Sequence, residues 1–372
     1  MAAPPPQEVV DAIEAETTDI SYRCEIFESD CVTRFAGGAY DDRLLSGSVS
    51  LDYSRAERRT CGGLTVSNHD GALSVGPGSL WYDKVFKPVY TITYGGGLAY
   101  DFPLGMFVPD DLTQPHFPDV IVMSGRDLTR RALKSRFAVG TTFSAGSSPE
   151  SIIGALASAS GMTRKSLPVT GLTTGKDFAF EADADRWTAM DTVAKAYDHD
   201  IWVDASGYLR MTPIQDPVTS PLVGNLRTGE TGNLVTYSKK VGDARLYNHV
   251  VVVGDTSDAN TLPVWAEATN TEPSSPTNIS RLGDITYRYT SSFITTTEQA
   301  QAVADSFLKI HALEEFSLEF GSLCYPWYEP GYIVSFDDPK TLTTTRMLLG
   351  TLDIPIGLAG MTGTGRRVTL VG

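Results

Sequence analysis

Four consecutive valines, Val250, Val251, Val252 and Val253, follow Asn248-His249 and end at Gly254-Asp255. β-Branched side chains are stiff at χ1 and favour the extended backbone. An apolar run without alternation predicts a strand buried on both faces. Such a strand can feed a phosphate-binding loop, or it can be an internal part of a β building block. A dinucleotide fingerprint needs three glycines ahead of a helix, and a Walker loop needs Gly-Lys-Ser/Thr. The stretch VVVVGDTSDANT has neither, and no helical pattern follows it directly. The parts that would cradle a phosphate are missing, which favours the building block.

The rest of the chain alternates between β-rich and mixed stretches. From 21 to 125 the signals are β. Val49, Leu51 and Tyr53 alternate along SVSLDY, the period of a half-buried strand. Segments 89–94 and 98–102 read as hairpin arms around Gly95-Gly96-Gly97, which can supply positive φ angles. DVIVMSG is a further strand. After Gly125 the pattern turns helical. Leu128, Ala132, Leu133 and Phe137 share one side of RDLTRRALKSRF. Ser148, Pro149 and Glu150 form a helix start, with Gly161 as its stop. Trp187, Met190, Val193, Ala194 and Tyr197 form one face of a third helix. IWVDASGYLRMTP reads as a hairpin turning at 204–207.

β character returns with the valine run, and a Pro/Ser loop covers 269–284. A helix capped by Thr297 presents Ala300, Val303, Phe307 and Ile310 inward. Strands are expected at CYPWYEPGYIVSFDDP, RMLLGTLDI and RRVTLVG. Near the start, Val9, Ala12 and Ile13 can share one short helical face. The resulting division is an N-terminal segment (1–20), a first β unit (21–125) and an α+β insertion (126–225). Then come the first part of a second β unit (226–260), a second insertion (261–324) and the completion of the second unit (325–372). The second half repeats the plan of the first in architecture, without a residue-level repeat.

Charge and composition exclude several classes. The net charge is −15, with 45 Asp and Glu against 30 Lys and Arg. A protein that grips nucleic acid needs clustered cations; one that DNA merely slides past does not. The longest apolar run is far below the roughly 18 residues of a membrane span. MAAPPPQEVVDAIEAETTD has neither a basic nor an apolar signal region, so the expectation is a soluble chain without membrane insertion. Cys24, Cys31, Cys61 and Cys324 form no CxxC pair; they are expected to be free, buried thiols rather than zinc ligands.

No catalytic, cofactor-binding or metal-binding residue is assigned. The acidic pairs Asp183/Asp185, Asp198/Asp200, Glu314/Glu315 and Asp337/Asp338 invite a glycosidase reading. With 45 acidic residues such pairs arise by chance. Asp183 and Asp185 sit at a helix start, where carboxylates cap N–H groups, Asp198-His199-Asp200 ends a helix, and Asp337-Asp338-Pro339 reads as a turn. His69, His116, His199, His249 and His311 are scattered without HExxH, and no GxSxG elbow occurs. The rival reading is a secreted β-rich glycan-binding protein or glycoside hydrolase. Tyrosine is abundant, and Trp81, Trp265 and Trp327 fall in β regions. Like Trp187 and Trp202, these tryptophans fit core or interface positions equally well.

In order, LYNHVVVVG, a loop ending RLGD, TTEQAQAVADSFL and YEPGYIVSFDD resemble the C-terminal half of the baseplate-hub, or minor tail, proteins of long-tailed bacteriophages. SGRDLTRRALKSRF, SPESIIGALASASG and ADRWTAMDTVAKAYDHDIWVDASGYLRMTP are similar to its middle, so the likeness spans 47–338. Tyr332 departs from the family, which often has an acidic residue after the Pro-Gly. The resemblance implies a mainly β chain with two small β-barrels and α+β insertions. It implies a homotrimer whose six barrels imitate six-fold symmetry at the virion tail tip, assembled in the host cytoplasm. The partners it implies are the distal tail protein or tail-tube end, the tape-measure protein and downstream tip or fibre proteins. DNA is implied only in transit. The valine strand would be a core strand of the second barrel, and the role structural rather than enzymatic, with no cofactor.

Overall fold

The computed structural model describes residues 4–15, 19–117, 119–229, 232–242, 246–254, 262–313, 316–338 and 340–368. After α1 (Gln7–Glu14) come β1 (Asp19–Phe27), β2 (Leu44–Asp52), β3 (Arg59–Ser67), β4 (Val85–Tyr94), β5 (Leu98–Pro103), β6 (Phe107–Thr113) and β7 (Val120–Asp127). A first insertion holds α2 (Thr129–Lys134), β8 (Thr141–Phe143), α3 (Pro149–Ala159), β9 (Lys165–Ser166), β10 (Phe178–Phe180), α4 (Arg186–Ala196), β11 (His199–Val203) and β12 (Leu209–Pro213). β13 (Leu222–Leu226) and β14 (Leu234–Val241) precede a second insertion of β15 (His249–Val253), β16 (Trp265–Thr269), α5 (Ile279–Leu282), β17 (Thr286–Thr290) and α6 (Thr297–His311). β18 (Phe316–Ser322), β19 (Ile333–Asp338), β20 (Thr343–Ile356) and β21 (Met361–Arg367) complete the chain.

Thirteen of these strands form one sheet. Six run in the order β1-β4-β6-β7-β3-β2, and six in the order β13-β19-β20-β21-β18-β14; β5 adds to β4. Lettered a to f along the chain, both sets have the order a-d-e-f-c-b. Their ladders agree in direction except a–d, which is antiparallel for β1–β4 and parallel for β13–β19. The registers of the e and f strands coincide at an offset of 240 residues. Leu349 opposes Gly365, Gly350 is passed over, and Thr351 opposes Thr364. Likewise Pro109 opposes Gly125, Asp110 is passed over, and Asp111 opposes Ser124. A bulge at the same place in both ladders bends the two sets alike.

The sets join where β2 pairs antiparallel with β20. β20 has room for this because β19 occupies only its first half. In the second set the sheet curls until Tyr237 of β14 lies 5.5 Å from Phe336 of β19, ring to ring. Among the described residues no ladder closes either set into a barrel. One apolar core runs beneath both, and α1 buries Val9 and Ile13 in it.

The two insertions share a second core. Local signals build its helices. The Ser148 hydroxyl accepts from Ser151 N–H with Pro149 behind it, and the Asp185 carboxylate accepts from Thr188 N–H at 2.8 Å. Trp187, Met190, Val193 and Ala194 pack inward as their spacing predicts. Phe178 of the first insertion stacks on Phe293 of the second at 4.0 Å. The Gln299 side chain, near the start of α6, donates to Ala196 O at the end of α4.

The valine run corrects two expectations. It belongs to a small separate sheet, β16-β15-β17, and not to the large one. Only Val250 and Val252 are fully buried, facing α6, while Val251 and Val253 are half-buried. Complete burial of such a side chain contributes roughly 2 kcal/mol, so one face carries the packing. The flanking residues explain the rest of the motif. Buried Asn248 accepts from Ile285 N–H at 2.9 Å and donates to Gly283 O at 2.8 Å, fixing the start of β17 beside β15. At the other end, a Cβ on Gly254 would lie 2.3 Å from Ile294 O, so the close approach needs glycine.

Smaller corrections follow from hydrogen bonding. The cap of α6 is Thr296, whose hydroxyl accepts from Gln299 N–H, not Thr297. Ile310 is only half-buried. The last strand is β21, ending at Arg367 rather than continuing through RRVTLVG, whose last four residues lie outside the described residues. Asp337 and Asp338 end β19; Pro339 lies outside the described residues. Glu314/Glu315 also lie outside them. The Gly95-Gly96-Gly97 turn, with φ of 48°, 84° and 101°, is as expected. Among the described residues no helix is long and apolar enough to cross a membrane.

Candidate functional site

Two features stand out: a cleft between the sheet and the first insertion, and the edges of β14 and β6, on which no further strand lies among the described residues. The cleft has a volume of about 620 Å³ and is lined by Arg58, Arg59, Lys165, Trp202, Arg210 and Glu329, among others. Arg58 leaves the β2–β3 turn and reaches β11. Its guanidinium donates to both oxygens of Asp200, at 2.6 and 2.8 Å. It also lies over the rings of Tyr53 (4.6 Å) and Trp202 (5.3 Å). Burial pushes the Tyr53 phenol up to about 12. Arg59 pairs with Glu329 and donates to Leu104 O at 3.1 Å. Its backbone N–H donates to Asp127, which also caps the start of α2 through Thr129 N–H. Burial raises the Asp127 carboxyl to about 6.

Every charge around the cleft has a partner. Arg210 holds Asp204 at 2.7 Å, and Lys165 donates to Gly154 O at 3.0 Å. Arg58 lies over one face of each of Tyr53 and Trp202, so that face is closed to a sugar ring. The cleft therefore works as a seam that fastens the insertion to the sheet. Glu329 also starts the turn at which Tyr332 departs from the hub pattern. That turn forms with Tyr332 N–H on Glu329 O at 3.1 Å and Gly331 at φ 90°.

The acidic pairs do not converge on a reaction site. Asp185 caps α4, and Asp183 has a positive φ of 68° beside it. Asp198 ends the same helix region at φ 58°; burial raises its carboxyl, against a hydrogen bond from Ser306. Asp338 pairs with Lys239 and caps the next turn through Lys340 N–H and Thr341. The histidines are scattered. His249 bridges Asp284 (3.0 Å) and Glu267 (3.4 Å) at the rim of the small sheet. His311 packs among Tyr247, Tyr287 and Phe307, and His199 contacts Tyr197 O at 2.6 Å. Among the described residues no group of three or more His, Cys, Asp or Glu could hold a metal ion. All four cysteines are free and buried. Trp187 is core, Trp327 packs on Phe102 and Tyr325, and Trp81 and Trp265 are exposed.

The second feature was not legible in the sequence. Among the described residues β14 pairs only with β18, and seven of its eight residues are exposed or half-exposed. β6 meets β4 at Phe107 alone, so among the described residues the edge along Asp111, Leu112 and Thr113 carries no strand on that side. Long unpaired edges invite another strand. The signal that could have found them is faint: Leu112, Pro115, Gly125 and Arg126 recur 240 residues later as Leu352, Pro355, Gly365 and Arg366.

This architecture is that of phage tail proteins. The 43 kDa tail protein of prophage MuSo2 from Shewanella oneidensis matches with a TM-score of 0.60 at 13% identity, over 93% of this chain and 98% of that one. The tail protein from Neisseria meningitidis MC58 matches at 0.61 and 13%, over 94% and 97%. Prophage tail protein gp18 from Listeria monocytogenes EGD-e matches at 0.57 and 10%, over 92% and 94%. At such identities the likeness is one of fold. No family model matches the chain, and no curated protein matches it in sequence.

Proposed function

We propose that the chain is the structural hub of a long-tailed phage tail tip, without enzymatic activity. Three copies form a ring that adapts a hexameric tail tube to a trimeric tip and gates the DNA exit channel. The observation that carries this reading is the recurrence of one six-strand order, a-d-e-f-c-b, twice in one chain with matching bulges. Each set acts as one barrel-like unit, so three chains present six similar units to a six-fold partner. The division is a first unit over 21–125 and a second made of β13, β14 and β18–β21, with the insertions between. Its partners are further copies of itself, the distal tail protein or tube end, the tape-measure protein and the tip or fibre proteins.

The acidic balance fits a channel. Duplex DNA carries one negative charge per ~1.7 Å of axis, and at physiological salt charges act over ~8 Å. Carboxylates on the inner wall repel phosphates and let DNA pass. Cryo-EM of assembled tails tests the reading: three copies around the axis with an acidic inner wall are expected. A two-fold or six-fold arrangement of this chain, or a basic wall, would overturn it. Clear turnover of peptidoglycan or polysaccharide, abolished by Asp198→Asn/Asp200→Asn, would overturn the non-enzymatic part.

A further inference from the structure

We infer that copies of this chain join by pairing β14 of one with β6 of the next, in the register by which β2 pairs with β20 inside each chain. The inference rests on the ring reading above and specifies its contact. Inside the chain, the b strand of the first set (β2) adds to the e strand of the second (β20). Ser48 opposes Pro355, Val49 opposes Ile354, Ser50 opposes Asp353, and Leu51 opposes Leu352. This junction uses one b edge and one e edge. Among the described residues it leaves over the b edge of the second set, β14, and the e edge of the first, β6.

The register transfers without adjustment. Beyond their bulges β2 and β14 match at an offset of 190, since Val49 and Lys239 oppose Cys61 and Leu318; a second bulge between Ser46 and Ser48 is peculiar to β2 and lies outside the matched stretch. Cys61 and Leu318, in turn, oppose Gly125 and Gly365. Moving the junction by these offsets sets Ser238 opposite Pro115, Lys240 opposite Thr113, and Val241 opposite Leu112. A proline thus falls at the same place in both junctions.

Exposure agrees with a missing partner. At the internal junction Leu51 and Leu352 are 1% and 2% exposed, whereas Val241 is 79% exposed. The charges are complementary: Lys240 of β14 would stand diagonal to exposed Asp111 of β6, within reach of a long side chain. The contact is head-to-tail, so it propagates from copy to copy and ends only by closing a ring.

Cysteine cross-linking of the full chain tests this. Opposed residues of an antiparallel pair have Cα atoms ~4.5–5.5 Å apart, within disulfide range, and the four native thiols are buried. Oxidised Val241→Cys/Leu112→Cys is expected to give a covalent three-chain product. The slipped control Val241→Cys/Thr113→Cys, whose second thiol points to the other face, is expected to give none. Lys240→Glu should raise the concentration for half-assembly about ten-fold, and Asp111→Lys in the same chain should restore it. An oligomer seen by light scattering but not linked at this pair overturns the register and leaves the ring reading standing. Linked chains that extend beyond three support the strand pairing and overturn the three-copy ring. A chain that stays monomeric and unlinked at the highest attainable concentration overturns both.

Discussion

Arg58→Ala probes the seam between sheet and insertion. The substitution removes two hydrogen bonds to Asp200 and a guanidinium held over two aromatic rings. Asp200 is left without its cation at a side-chain exposure of 18%. Breaking a buried pair from one side costs ~3–5 kcal/mol, and each lost ring contact adds roughly 0.5–1 kcal/mol. Neither partner is fully dry, so screening favours a total of about 3 kcal/mol. Amide hydrogen exchange at β11 and β12 reads this locally, where about 3 kcal/mol corresponds to roughly 150-fold faster exchange. In Arg58→Ala/Asp200→Ala no unpaired carboxylate remains, and the double-mutant cycle should return a coupling of about 1–3 kcal/mol. Arg58→Lys keeps the charge but loses the planar fork and should fall between. Additive single costs, or unchanged exchange in β11 and β12, would refute the clamp.

Trp187 is 4% exposed, and Trp187→Ala should cost ~3–5 kcal/mol, read from denaturant midpoints; a loss below ~0.5 kcal/mol, typical of surface sites, would remove it from the core. Burial, helped by the Arg366 and Lys195 charges, pushes the His311 imidazole down from 6.5 to about 4. The unfolded chain therefore takes up this proton first. The stability it confers is complete above pH ~6.5 and lost as pH falls toward 4, by at most about 3 kcal/mol, and its half-buried ring reduces that figure. His311→Gln should flatten this slope; an unchanged slope contradicts the assignment. Burial raises the Cys24 and Cys324 thiols to about 12, so a thiol-reactive dye should label the native chain negligibly and all four cysteines after denaturation. Rapid native labelling would contradict their burial.

Helix caps and hairpin turns were legible because their causes are local. Ser148 with Pro149, the Trp187–Val193 face and the triple-glycine turn each involve residues within a few positions of one another. The valine run was legible as a strand but not as to its neighbours. Four valines in a row fit burial on both faces, yet α6 covers only the face of Val250 and Val252. A side chain's partner across a sheet is not encoded in its own stretch. Arg58 looked like one of 30 cations, because its meaning lies in Asp200, 142 positions away.

By itself the sequence determined the β-rich class, the positions of α2, α3, α4 and α6 but not of α5 within the expected 269–284 loop, and the buried thiols. These follow from periodicity, capping and motif chemistry, which act over short stretches. Only the tertiary structure decided that the two β sets share one strand order, that β2 joins β20 across some 300 residues, and that β14 and β6 each have an edge without a strand among the described residues. Strand register is set by bulges and by which face meets the core, and sequences as different as VPDDLT and LLGTLD satisfy the same ladder. Backbone hydrogen bonding fixes the pairing while the side chains differ, so the shared strand order is visible in the geometry and not in the residues.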